Sequence, residues 1–127
     1  MHIGLSNFLE SEHGKERFVA FVDSGSETAE KIAESVGGIR IDTEEHDTHS
    51  LCTAIEHALR EVEGRKFLVV HGIEKLADSR KMKKVEQLMH TIGAKSKSHN
   101  CSVFLIKSEN IEINQLLKKA ADVKIRA

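Results

Sequence analysis

Residues 18–38 read FVAFVDSGSETAEKIAESVGG, and this stretch decides the fold. Its first five residues are apolar throughout, as a strand covered on both faces must be. A short polar loop follows. Then Ala29, Ile32, Ala33 and Val36 share one helical face, and Gly37-Gly38 supplies a left-handed stop. Strand, loop, helix and stop in that order open a β-α-β unit with parallel strands.

Working outward, FLVV at 67–70 and SVFLI at 102–106 repeat the all-apolar pattern of a central strand. IRID at 39–42 and DVKIR at 122–126 alternate instead, which predicts half-exposed strands at the sheet edges. Leu51, Ile55, Ala58, Leu59 and Val62 form a second helical stripe, with Gly64 as its stop. Met82, Val85, Met89 and Ile92 form a third, in a lysine-rich helix over 78–99 that Gly93 weakens. Ile113, Leu116, Leu117 and Ala120 form a fourth. The expectation is one α/β domain over 1–127, a five-stranded parallel sheet between two helical layers. Residues 1–16 find no place in it. Periodicity leaves two strand orders, RecA-like or flavodoxin-like, and both put the second and fifth strands at the edges.

Composition narrows the function classes. Hydrophobic residues make up 39% and charged residues 31%, which excludes a disordered chain and a membrane-spanning one. A net charge of −1 offers no general pull on nucleic acid or anionic lipid. There is no tryptophan or tyrosine and there are only five phenylalanines, so stacking platforms for single-stranded nucleic acid are few. The basic helix face at Arg80, Lys81, Lys83, Lys84, Lys95 and Lys97 is balanced by Asp78 and Glu86, and nucleic-acid binding is not expected. The start of the chain lacks a secretory signal, so Cys52 and Cys101 are expected as reduced thiols in the cytoplasm.

The loop DSGSET at 23–28, at the head of the first long helix, resembles a phosphate-binding loop of the RecA and KaiC type. The likeness is collinear over nearly the whole chain. IGLSNFLESEHGKERFVAFV is similar to the approach to that loop, FLVVHGIEKL to a Walker B strand, and LLKKAADVKIRA to the closing helix and strand. It is nearest to small members of archaeal type. The resemblance implies RecA-like strand order and vestigial nucleotide-site positions at Asp23, Ser24, Gly25, Ser26, Glu27, Thr28, His71 and Glu74. Against the pattern GxxxxGK[ST], Phe21 replaces the first glycine, Ser26 the second and Glu27 the lysine. His71 stands where the Walker B aspartate would be.

Replacing the lysine by glutamate reverses an interaction of roughly 4 kcal/mol at about 4 Å and an effective dielectric of about 20. A helix N-terminus returns only about 0.3–1 kcal/mol towards an anion. No ATP hydrolysis and no cofactor are therefore expected. Ser24 or Ser26 is expected to cap the helix, with Glu27 closing a capping box.

Other clusters carry less. His46, Asp47, His49, Cys52, Glu56 and His57 crowd one segment, but no second ligand pair accompanies them, and no metal is expected beyond weak candidates at His46, His49 and Cys52. Cys101, opening a strand, reads as packing. His71 is expected near Glu27 and Lys107, hydrogen-bonded to a neighbouring loop. The function expected is a non-catalytic domain acting through protein contacts, with a second copy or another protein. A homodimer would join through helix faces, since the edge runs carry Arg40, Lys124 and Arg126. Two alternatives stand: a nucleotide or phosphometabolite binder in the crevice at the strand ends, or a small metal-dependent enzyme built on His46, His49 and Cys52.

Overall fold

A computed structural model of the chain describes residues 3–11, 16–42, 48–61, 66–73 and 82–126. The all-apolar runs form β2 (Val19–Val22), β4 (Lys66–His71) and β5 (Cys101–Ile106), and β2 and β5 are buried along their whole length. The alternating runs form β3 (Ile39–Asp42) and β6 (Val123–Arg126), which bury only Ile41 and Ile125 respectively. Five helices accompany them: α1 (Leu5–Glu10), α2 (Ala29–Val36), α3 (Thr48–Glu61), α4 (Met82–Ser98) and α5 (Ile111–Ala120).

All pairings are parallel. With β1 (Ile3–Gly4) included, the order is β1-β6-β2-β5-β4-β3. Phe21 lies beside Leu105 on one side and Lys124 on the other. The 101–106 strand thus separates β2 from β4, as RecA-like order requires. A flavodoxin-like order would make β2 and β4 neighbours.

The pleat sorts the core into two layers. Phe21, Leu68, Val70, Val103 and Leu105 face α3, α4 and α5, meeting Ile55, Leu88, Ile92 and Leu117. Phe18, Ala20, Val69, Phe104 and Ile125 face the other way, towards Phe8 of α1 and Ile32 of α2. The result is a three-layer α/β/α arrangement.

The first segment corrects the sequence reading. Ile3 pairs with Ile125, so β6 is not the outermost strand; a two-residue strand lies beyond it. Phe8 of α1 is buried edge-to-face on Phe18, with ring centroids 4.8 Å apart, and Phe18 in turn meets Phe104 at 5.2 Å. Each such ring pair contributes about 0.5–1.5 kcal/mol beyond its buried area. Phe8 anchors the segment, and Leu5 and Leu9 pack beside it against the same core at helical spacing.

Helix ends follow local chemistry. Gly37 adopts φ 65° and stops α2, and Gly38 donates to the Ala33 carbonyl at 2.8 Å. Helix α4 runs through Gly93 without a break and stops at Asn100, which takes the left-handed φ of 51°. The expected stop at Gly64 and the start of the basic helix before Met82 lie outside the described residues.

The N-terminal ends of the central strands are pinned by side chains. Val19 N–H donates to Asp122 Oδ2 at 3.0 Å, while Asp122 N–H donates to the Val19 carbonyl at 2.7 Å. Phe18 N–H donates to Ser102 Oγ at 3.2 Å, and Arg17 donates to Ser96 Oγ at 3.1 Å.

Candidate functional site

Ligands in open parallel sheets sit beyond the carboxyl ends of the strands, where the loops after β2, β4 and β5 converge. Strand β2 stays extended through Val22, and the 3-10 turn Ser26–Thr28 begins soon after. Only Asp23, Ser24 and Gly25 lie between. Phe21, at the position of the missing first glycine, is a paired strand residue 1% exposed, not part of a loop. Three residues and one 3-10 turn thus join the strand to the helix.

The turn satisfies itself. Gly25 carbonyl accepts from Thr28 N–H at 3.0 Å and from Thr28 Oγ1 at 2.7 Å. Thr28 stands at the N-cap of α2, and its side chain makes no capping bond. The expected caps, Ser24 and Ser26, do not hold that position, because the added 3-10 turn moves the helix start past both. Glu27 folds its exposed carboxylate back over Gly25, in the space a β-carbon there would need.

Lys107 follows β5 and extends the ladder, its N–H donating to the Val22 carbonyl at 3.0 Å. Its ammonium pairs with Asp23 Oδ1 at 3.2 Å. Lys107 is exposed and Asp23 half-buried at the surface, so the pair is worth about 0–1 kcal/mol. It nevertheless places the loop's own carboxylate against the nearby cation.

Sequence reasoning missed the loop after β5. Asn110 caps α5, accepting from Glu112 N–H at 2.9 Å and Ile113 N–H at 3.2 Å. Asn114 reaches back to accept from Ser108 N–H at 2.8 Å and to donate to the Ser108 carbonyl at 2.9 Å. The signal was an asparagine just before an apolar-periodic run.

His71 ends β4 and is only 5% exposed. Val69 faces α2, so His71, two residues on, faces the same way, as does Asp42 beside it in register. Helix α2 packs on β4 and runs back antiparallel to it, which brings its first turn towards this end of the sheet. Among the described residues, the buried Nε2 of His71 has no hydrogen-bond partner. Such an orphan costs about 1–3 kcal/mol. Lys107, expected to converge near His71, pairs with Asp23.

Compared with protein-family models and with curated proteins, the chain matches none. What it can do must be argued from its own geometry.

The remaining predicted positions divide simply. Glu74, His46 and Asp47 lie outside the described residues, as do the side chains of Ser26, His49 and Cys52. Among the described residues, no group of three or more potential ligands could hold a metal. Glu56, from the histidine-rich segment, is taken by cations: Arg60 at 2.8 Å and Lys95 at 3.2 Å. The Lys95 hydrogen bond and charge, then Arg60, lower its carboxyl pKa. Cys101 is fully buried, and burial pushes its thiol up to about 11. Both its burial and its raised pKa fit a packing role. No helix among the described residues is long and apolar enough to cross a membrane.

Proposed function

We propose that the chain is a RecA-like domain that does not turn over ATP and works through contacts with another protein. The observation carrying this reading is the loop after β2. Its three residues give too little backbone to surround a triphosphate, Phe21 fills core where a glycine would turn, and Thr28 donates its hydroxyl to Gly25. Asp23 and Glu27 put two carboxylates where phosphates would lie, and Lys107 is already matched to one of them. A retained fold with such a site points away from phosphoryl transfer, since fold alone does not carry function.

One observation favours a second reading, a binder of nucleotides or phosphometabolites by other groups. The unpartnered Nε2 of His71 faces the α2 side of the crevice, where an acceptor on a ligand would satisfy it.

Isothermal titration with Mg-ATP, wild type beside Glu27→Lys, tests the first reading. No heat of binding is expected from the wild type, and no hydrolysis from either protein. Micromolar binding by the wild type would overturn it. Binding that disappears in His71→Leu would establish the second.

A further inference from the structure

On the face opposite α2, helices α4 and α5 lie side by side and leave a trough of about 550 Å³ between them. Met89, Gly93, Ala94, Leu116 and Ala120 form its apolar floor. Lys97, Lys119, His90 and Glu86 stand at its rim, and Lys83 lines an adjoining hollow that shares Glu86 and His90. The α4 contribution repeats at three- and four-residue intervals from Glu86 to Lys97, so the trough runs along the helix for about 16 Å. That length matches three turns of a guest helix.

Gly93 is the informative residue. A glycine inside a helix costs stability relative to alanine, and a fold keeps one where φ is positive or a neighbour comes close. Neither reason applies. Its φ is not positive, and a β-carbon there would meet nothing within 4 Å among the described residues. The space it leaves opens into the trough.

We infer that the α4/α5 trough is a docking groove for an acidic amphipathic helix of a partner protein. The charge selects that occupant: Lys97 and Lys119 against Glu86 at the rim, with Lys83 in the adjoining hollow, favour a guest with carboxylates flanking its apolar stripe. A second copy of this chain is a poor guest, because its acidic helix α2, with Glu30 and Glu34 exposed, already buries Ala29, Ile32 and Ala33 in its own core. A lipid surface is a poor one too. Met89 is only 9% exposed, and the one large apolar side chain standing clear among the described residues, Ile111, is not in the groove. Nucleic acid finds no aromatic ring there to stack on.

The inference rests on the reading of the chain as an interaction domain and gives that reading a surface. Its test uses the full chain and a fluorescent helical peptide of about 14 residues, with leucines at i, i+3, i+4 and i+7 and glutamates on both flanks. The peptide should bind, with backbone amide shifts confined to α4 and α5, and binding should weaken as salt rises. Gly93→Leu fills the trough and should weaken binding at least about tenfold while leaving thermal unfolding unchanged or improved. Should that variant unfold, Ala94→Gln obstructs the same floor from an exposed position. Lys97→Glu with Lys119→Glu should weaken the acidic peptide and strengthen one carrying lysines in place of glutamates.

Equal affinity for both peptides, or affinity untouched by Gly93→Leu, overturns the proposal. So does binding of phosphatidylserine vesicles or of oligouridine in place of the acidic peptide. Mg-ATP and the peptide, each titrated into the wild type, separate the two readings. ATP binding with intact peptide recognition in the wild type removes the first and keeps the groove. Silence to both ligands removes the groove alone.

Discussion

The two ends of the central sheet are built on opposite plans. At the N-terminal end the polar groups are matched: Asp122 takes and returns a hydrogen bond with Val19, and Ser102 accepts from Phe18. At the C-terminal end one group is not. Asp23 and Lys107 meet near solvent and Thr28 bonds back to Gly25, but the buried Nε2 of His71 has no partner among the described residues. The same strands run through both ends, so the difference lies in the side chains placed there. A satisfied end holds the fold; an unsatisfied one spends stability, which is where a ligand or partner has something to gain.

The sharpest break should come at the matched end. Phe18→Ala removes the ring that joins Phe8 to Phe104 and should cost about 3–5 kcal/mol in urea unfolding. A loss below about 1 kcal/mol would mean that α1 is not docked as described.

The comparison itself is tested by one pair of substitutions. Asp122→Ala strips Val19 N–H of its acceptor and should destabilise by about 1–2 kcal/mol. His71→Leu removes an unpaired polar group from a buried position and should stabilise by about 1 kcal/mol. Polar deletions at opposite ends are thus expected to have opposite signs. Two losses of equal size would show that His71 has a partner after all.

Cys101 opens β5 at the matched end, and its thiol is held near 11 against an ordinary 9.0. Folded pKa above unfolded pKa means that stability is intact below about pH 9 and falls as pH rises towards 11. Urea midpoints followed across that window should decline more steeply in the wild type than in Cys101→Ala. Matching slopes would place the thiol in contact with water. At the other end, Lys107→Ala should change stability by no more than about 1 kcal/mol, since its pair is exposed. A larger loss would make the Asp23 pair a structural strut.

Legibility followed the same division. The long strands were readable because β2 and β5 are apolar throughout while β3 and β6 alternate, and burial enforces both patterns. Strand order was not in the periodicity; it came from the resemblance. The segment Ile3–Glu10 escaped because a two-residue strand has no period and the stripe Leu5, Phe8, Leu9 fills less than two helical turns. Of the site, the connection between β2 and α2 was legible but its capping was not. Several serines compete there, and only the point at which β2 ends decides among them. The orphaned nitrogen of His71 depends on what surrounds a side chain, and the α4/α5 trough on two distant segments meeting across a glycine. Neither leaves a local signal.

Strand β2 has a further consequence, in the order of chain synthesis. Its two neighbours, β5 and β6, both lie far downstream of it. A nascent chain emerging from the ribosome therefore carries the apolar run Val19–Val22 with nothing to pair with until Cys101 and beyond have been made. The strands completed in the meantime, β3 and β4, can pair only with each other. Long-range parallel pairing of this kind is slow and leaves strand edges bare while it waits. The middle of the sheet, which becomes the best-buried part of the molecule, is the part longest at risk of pairing with a neighbour's chain during translation.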